Sequence, residues 1–495
     1  MSKFWLFLIA SLFLAGGIVF AQSDSGAKRK QDADTIYIGV ANCAGCHSKK
    51  SPSKFSTEFV LMNEYDTWHK EDKHSQAYEV LENSLGKRIL ENLDDPAKKN
   101  ACLNCHTVNI PAERQGSHFR LQDGVSCEAC HGPAKKWLGD HQEYSWRLKT
   151  GSEKAALGMI DMRNRGTQAR LCLSCHLGNA AEGKILTHGM LAAGHPPLPG
   201  FEITAFHQFM PRHWRLAKNV PFLQDPKLDK PPAPFKDPLV LKKHVHDLYQ
   251  LQFADFEQTQ MAVRNGIAVF QTSIQLLAEE ARTVKDQGIL DLAMFQCSSC
   301  HHELKKNNQP GAPARGRPRA PTWPAVLVPM ALRHIAGPDQ EQYTGLAKEY
   351  ADQLRLLRDA VLARPFGDPR KMATSADKLA AWAGRIQDQA AKTNWDRQSA
   401  RRLLDELGVS SQQKELDYDS ARQIAWTYRT IQKEVFPEEA KGHVDVWKVL
   451  DRDMRLTIRP GKYLIEEHLT ETFERIGKFD PAAFGKSFRG FGRGK

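Results

Sequence analysis

All ten cysteines of this 495-residue chain occur in five copies of one spacing, Cys-x-x-Cys-His. The copies are Cys43/Cys46/His47, Cys102/Cys105/His106, Cys127/Cys130/His131, Cys172/Cys175/His176 and Cys297/Cys300/His301. Two thiols one helical turn apart can form thioethers with the two vinyl groups of a haem, and the adjacent imidazole can then ligate its iron. Zinc ribbons and disulfide frameworks do not require a histidine after each cysteine pair. The spacing therefore predicts five c-type haems, with the five motif histidines as proximal iron ligands.

The number of distal ligands separates two classes of function. A haem with two protein ligands suits electron transfer, whereas a haem with a free position can bind a small molecule and react with it. Of the 19 histidines, 19 − 5 = 14 lie outside the motifs. The best candidates by context are His74, His141, and His188 with His195, which are seven residues or about two helical turns apart. Weaker candidates are His69, His118, His207, His213, His244, His246 and His302, and Met190 or Met210 could replace a histidine.

The first residues predict export. Lys3 precedes an apolar stretch that runs to residue 20, and a small-residue pattern ends at Ala21. This is typical of a secretory signal peptide that is cleaved after that alanine. If it is not cleaved, the stretch has about the minimum length for a bilayer span and would attach the protein to a membrane. Both interpretations place the remaining chain in the periplasm or otherwise outside the cytoplasm.

Apolar residues recur at spacings of three and four in the regions that follow the fourth motif. This pattern predicts helices over residues 267–284, 343–361, 375–391 and 419–436, and a shorter helix that ends at Gly408. Strand-like alternation is scarce. We therefore predict an all-α protein, in which a pentahaem module with little regular strand precedes a C-terminal helical bundle.

The composition along the chain also suggests boundaries. The predicted parts are a signal peptide (1–21), a linker (22–37), the pentahaem module (38–305), a Pro/Gly/Arg-rich linker (306–330) and the helical region (331–495). The last residues, Phe484 to Lys495, mix glycine, phenylalanine and basic side chains. We expect this tail to be mobile or to dock on a partner.

The net charge of +11 would ordinarily suggest a nucleic-acid partner. Loss of Lys3 with the signal peptide leaves 11 − 1 = +10, and the propionates of five haems would contribute about −10. Because each ferric haem core adds about +1, the holoprotein would carry about +5 when oxidised and be about neutral when reduced, and we expect no nucleic-acid partner.

The motifs and their flanking residues resemble the cytochrome c-554 family, multihaem cytochromes related to hydroxylamine oxidoreductase. The likeness covers roughly residues 38–180. It is carried by residues 68–77, by Gly124-Val-Ser-Cys-Glu-Ala-Cys-His-Gly-Pro133 and by Gly139-Asp-His141. Residues 188–214 and 300–304 look like a larger exported relative of that family.

The resemblance implies axial ligands. It makes His141 the distal ligand of the first haem and His74 that of the fourth, and it leaves the second haem, at His106, without a distal ligand. The third haem would take His188 or His195. The other histidine of that pair would serve the fifth haem, which lies outside the family's core.

Three functions remain open. The preferred one is an electron carrier that exchanges electrons with redox partner proteins. The second is an oxidoreductase that acts on a small nitrogen or sulfur compound at an open haem on His106. Ammonia-forming nitrite reductase is a poor match, since its catalytic haem sits on Cys-x-x-Cys-Lys, and hydroxylamine oxidoreductase carries more haems than five motifs hold. The third is a docking subunit whose C-terminal helices bind a partner or form an oligomer.

Overall fold

The computed structural model describes residues 35–48, 60–93, 98–143, 145–146, 149–214, 256–285, 288–301, 317–414, 416–457, 476 and 478–493. Within these ranges the protein is helical, and β-structure is limited to two isolated bridges. The all-α prediction is therefore confirmed. The predicted signal peptide and the candidate ligands His244, His246 and His302 lie outside the described residues. None of the helices in the described ranges is long and apolar enough to cross a membrane.

The part of the chain with the first four motifs consists of short helices joined by irregular segments. In chain order they are α1 (Val40–His47), α2 (Glu64–Glu71), α3 (Glu79–Glu82), α4 (Ser84–Glu91), α5 (Lys98–His106), α6 (Cys127–His131), α7 (Gly151–Ala156), α8 (Arg165–His176), α9 (His188–Ala192) and α10 (Ile203–Phe209). The first four motifs each end a helix, at His47, His106, His131 and His176. Helical geometry puts the two thiols of a motif on one face, because residues three apart are neighbours there.

Longer helices form the rest of the described chain. They are α11 (Glu257–Thr283), α12 (Val328–Ala336), α13 (Gln340–Leu362), α14 (Pro369–Lys392), α15 (Arg397–Ser410), α16 (Tyr418–Val435), α17 (Pro437–Gly442), α18 (Val444–Met454) and α19 (Pro481–Phe488). The predicted periodic segments correspond to α11, α13, α14 and α16. The shorter predicted helix corresponds to α15, which continues two residues past Gly408 to Ser410.

One hydrophobic core joins α11 to the C-terminal helices. Phe270 of α11, Trp382 of α14 and Trp426 of α16 are almost completely buried and belong to the same cluster. Glu434 of α16 also accepts hydrogen bonds from the first backbone amides of α11, at Gln258 (2.8 Å) and Thr259 (2.7 Å). The predicted linker at 306–330 therefore does not separate two cores, because α11 precedes the fifth motif and packs with helices that follow it.

The C-terminal tail is packed against this bundle. Phe484, Phe488 and Phe491 are buried, and the Phe491 ring lies 4.8 Å from that of Tyr428, measured between centroids. The expectation of a mobile or partner-docking tail is wrong for residues 484–493. These phenylalanines recur at spacings of four and three, so a helical turn aligns them as one apolar stripe that α16 and α18 cover.

Before α11, the clusters of buried hydrophobic side chains that the structure describes are small, apart from Ala205, which belongs to the large core. One contains Trp137 and Trp146, and another contains Leu93, Met190 and Ala193. Met190, a candidate iron ligand by sequence, is thus part of a packing cluster.

Candidate haem-binding sites

Each of the five motif histidines faces one further histidine. The ring centroids are 6.4 Å apart for His47 and His141, 6.2 Å for His176 and His74, 6.4 Å for His106 and His195, 6.5 Å for His131 and His213, and 6.3 Å for His301 and His188. The five distances agree within 0.3 Å, although the ring planes are oriented differently from pair to pair.

This separation fits one iron atom between two imidazoles. A metal–imidazole nitrogen bond is about 2.0 Å long and the ring centroid lies about 1.1 Å beyond the nitrogen, so two axial imidazoles have centroids roughly 6.2 Å apart. Aromatic rings in direct contact can approach much more closely, as His334 and Trp395 do at 3.6 Å. The residues present therefore fit haem at all five motifs.

Hydrogen bonds orient several of these imidazoles. In α1, the Nδ1 atom of His47 is 2.7 Å from Oε2 of Glu64, and the Nδ1 atom of His74 is 3.0 Å from Oδ1 of Asp72. A ring that donates from Nδ1 keeps its Nε2 lone pair for a metal, and a carboxylate acceptor makes the imidazole a stronger donor to that metal.

Backbone carbonyls have the same role at three other rings. The Nδ1 atom of His106 lies 2.8 Å from the Ala77 oxygen, that of His141 lies 2.5 Å from the Leu138 oxygen, and that of His195 lies 2.7 Å from the Pro196 oxygen. The rings are thereby fixed with Nε2 available to an iron.

Two of the motif histidines, His131 and His176, are held as neutral imidazoles. Burial lowers the pKa of His131 and of His176 to about 4, because the charged form loses its hydration. At pH 7 both rings are then uncharged, which ligation of a metal requires.

The ten cysteines are all within the described residues, and none of them forms a disulfide. Cys43 of the first motif interacts with Cys127 of the third, and Cys105 of the second interacts with Cys175 of the fourth. These contacts bring the attachment points of different motifs together in pairs. Cys46, Cys297 and Cys300 are exposed, so the first and fifth motifs lie nearest the surface.

Aromatic packing supports the fourth motif. The Phe201 ring stacks on His176 with a centroid distance of 4.2 Å. Phe206 contacts both Phe201 (4.5 Å) and Trp426 of α16 (5.6 Å). The C-terminal bundle thus reaches the proximal side of this site through Phe206.

Two candidate distal histidines lie next to the motif histidines with which the resemblance paired them. His141 lies opposite His47, and His74 lies opposite His176. His188 lies opposite His301, which agrees with the expectation that one histidine of the 188/195 pair serves the fifth motif.

Two expectations differ from the structure. The second motif does not lack a partner ring, since His195 lies opposite His106. The third motif faces His213, not His188 or His195, although His213 was only a weaker candidate. The reason is the chain path: α9 ends at Ala192, and the backbone turns at Gly194 with φ +113°.

The remaining described candidates contact other groups. His69 stacks on Tyr65 at 5.5 Å, His207 packs against Trp214 at 5.0 Å, and His118 is exposed. No local sequence signal distinguishes His213 from them. Its role becomes visible only when the segment after α10 is placed beside the third motif.

Known proteins with similar sequences were found for the part of the chain that contains the first motifs. Residues 42–132 match the family model described as "Cytochrome c554 and c-prime". Cytochrome c-554 of Nitrosomonas europaea is 26% identical over 157 residues, which are 29% of this chain and 59% of that protein. The chain thus spans about three fifths of the length of the curated relative it matches. No solved structure matches it. Residues 42–132 are therefore similar to the cytochrome c-554 family, in a stretch that contains the first three motifs up to Cys130 and His131.

Proposed function

We propose that this protein is an exported electron carrier with five covalently attached c-type haems, each ligated by two histidines. The observation that carries the proposal is the set of five imidazole pairs with centroids 6.2–6.5 Å apart. When bound, haem iron takes up and releases single electrons by changing between its ferric and ferrous states.

The site at the second motif, on His106, distinguishes an electron carrier from an oxidoreductase with an open haem. A small-molecule substrate needs a free axial position, and His195 is positioned to fill the one opposite His106. The ring of His195 is held by the Pro196 carbonyl, and Asn92 donates a hydrogen bond to the Ala193 oxygen at 3.1 Å, which fixes the preceding turn. These contacts favour a permanent ligand over a side chain that moves aside.

The groups that accept hydrogen bonds from the Nδ1 atoms can give the haem sites different reduction potentials. Carboxylates accept from His47 and His74, whereas carbonyls accept from His106, His141 and His195. A carboxylate strengthens electron donation to the metal and stabilises its oxidised form. We expect the first and fourth sites to have lower reduction potentials than the second.

Redox partner proteins are the expected partners. The first and fifth motifs carry the exposed cysteines Cys46, Cys297 and Cys300. A partner can approach the edge of a haem most closely where its thioether links are at the surface. We therefore expect electrons to enter and leave near these two motifs.

The test uses the purified holoprotein. Pyridine haemochrome analysis should give five haems per chain, and the oxidised protein should show only low-spin EPR signals. The reduced protein should not bind carbon monoxide. A lower haem count would refute the number of sites. A high-spin signal together with binding of carbon monoxide would instead favour the oxidoreductase with an open haem.

A further inference from the structure

The fifth motif is built differently from the other four. Its first residues form a 3₁₀ turn, Cys297–Ser299, where the other motifs end α-helices. Its two candidate ligands come from distant parts of the chain, with His188 at the start of α9 and His301 at the end of the motif. None of the described residues accepts a hydrogen bond from either ring. Some other contact must therefore hold the two segments at the right separation.

Asp291 makes such a contact. Its Oδ1 atom accepts a hydrogen bond from the backbone N–H of His188 at 2.7 Å, across 103 residues of sequence. The same atom accepts from the N–H of Ala293 at 2.9 Å and caps the 3₁₀ turn Leu292–Met294. One carboxylate oxygen thus joins the residue that carries the distal ring to the segment that leads into Cys297.

The segment around Asp291 is fixed on its other side. Leu290 is 1% exposed and Phe295 is 4% exposed, and both belong to the core of the C-terminal bundle. Gln296 donates its backbone N–H to the Arg319 oxygen at 2.7 Å, and the Arg319 N–H donates to Oγ of Ser299 at 3.2 Å. The bundle holds residues 290–299 in place. The hydrogen bond from the His188 N–H to Asp291 therefore fixes His188 relative to the same bundle.

We propose that Asp291 is the positioning residue of the fifth haem site, which keeps the His188 imidazole at ligand distance from the iron on His301. The proposal rests on the proposed function, since it takes His188 and His301 as axial ligands. A backbone amide in contact with a carboxylate makes a charge-assisted hydrogen bond, which is stronger than one between neutral groups. Without this hydrogen bond, the first residue of α9 is no longer connected to the segment that leads to His301.

The experiment compares four variants of the full-length holoprotein by EPR and by pyridine haemochrome analysis. His188→Ala defines the signal of an open fifth site, about one fifth of the total haem in the high-spin state. Asp291→Ser is the informative variant. Serine can still cap the Ala293 N–H, but its side chain is one atom shorter and does not reach His188. Asp291→Asn keeps an acceptor oxygen in place, and Asp368→Ala removes the cap of α14, where Asp368 accepts from Lys371 N–H.

With five haems retained, we expect Asp291→Ser to show a high-spin signal that approaches that of His188→Ala. Asp291→Asn and Asp368→Ala should stay low-spin like the unmodified protein. Loss of the fifth haem in Asp291→Ser, while His188→Ala keeps it, would overturn the proposal, because the substitution would then act on attachment of the haem and not on the position of His188. A low-spin Asp291→Ser protein with five haems would overturn it. If His188→Ala is itself fully low-spin, the ligand pair of the proposed function fails, and this inference fails with it.

Discussion

Replacement of His195 by alanine should open the second haem. The His106 and His195 rings are 6.4 Å apart, close to the separation expected for two ligands of one iron. The variant removes one of these two imidazoles and leaves the four other pairs intact. About one fifth of the haem should therefore become high-spin, and the reduced protein should bind about one carbon monoxide per chain.

No neighbouring histidine is expected to replace the lost ligand. His188 lies opposite His301 and His213 lies opposite His131, so both are engaged elsewhere. The assay is titration of the reduced protein with carbon monoxide, followed by its absorption spectrum, together with EPR of the oxidised protein. His118→Ala is the matched control, because it removes an exposed histidine and should change neither signal.

Two results would refute this reasoning. Binding of carbon monoxide by the unmodified protein, at one site that His195→Ala does not alter, would show that His195 does not ligate the second haem. A His195→Ala protein with five haems and no high-spin signal would show the same. A His195→Met variant gives a further check, since a methionine ligand should keep the haem low-spin and raise its reduction potential.

Three further outcomes follow from the geometry. His141→Ala should make the first haem high-spin, and an unchanged EPR spectrum would remove His141 as its ligand. Trp426→Ala should lower the free energy of unfolding by roughly 3–5 kcal/mol, measured in urea, because the indole is 2% exposed; a cost below about 1 kcal/mol would contradict its place in the core. Burial raises the pKa of the Glu202 carboxyl to about 7 from its ordinary value of 4.5. The native state therefore binds this proton more tightly than the unfolded state does. As a result, the free energy of unfolding falls by up to roughly 3 kcal/mol as the pH rises from 4.5 to 7. Glu202→Gln should remove that part of the pH dependence of urea unfolding, whereas the exposed Glu113→Gln should leave it unchanged.

The sequence predicts most of the attachment chemistry and the long helices. The cysteine spacing predicts the haem-attachment residues directly, because thioether formation and proximal ligation both depend on a local motif. The helices α13, α14 and α16 were predictable since their apolar faces recur with helical period. The same signal was present in the tail, where Phe484, Phe488 and Phe491 have helical spacing, but the glycines and basic residues between them obscured it.

The distal ligands were predictable only in part. His141 and His74 lie in segments that resemble a known family, and their rings lie 6.4 Å from His47 and 6.2 Å from His176. His195 and His213 depend on how the chain runs between α9 and α11, which no local pattern determines. The seven-residue spacing of His188 and His195 suggested two rings on one helical face. In the structure the backbone turns at Gly194 between them, and His188 lies opposite His301 whereas His195 lies opposite His106.

The uneven distribution of buried side chains has a consequence for maturation. The bundle with α11 has an extensive core of its own, and the small clusters seen before α11 cannot support that half of the described chain alone. Haems held at the first four motifs would add apolar surface to the interior of that region. Thioether formation should therefore precede folding of the first four motifs, while the bundle is able to form earlier and present the Leu290–Phe295 segment, with the fifth motif behind it, to the attachment machinery.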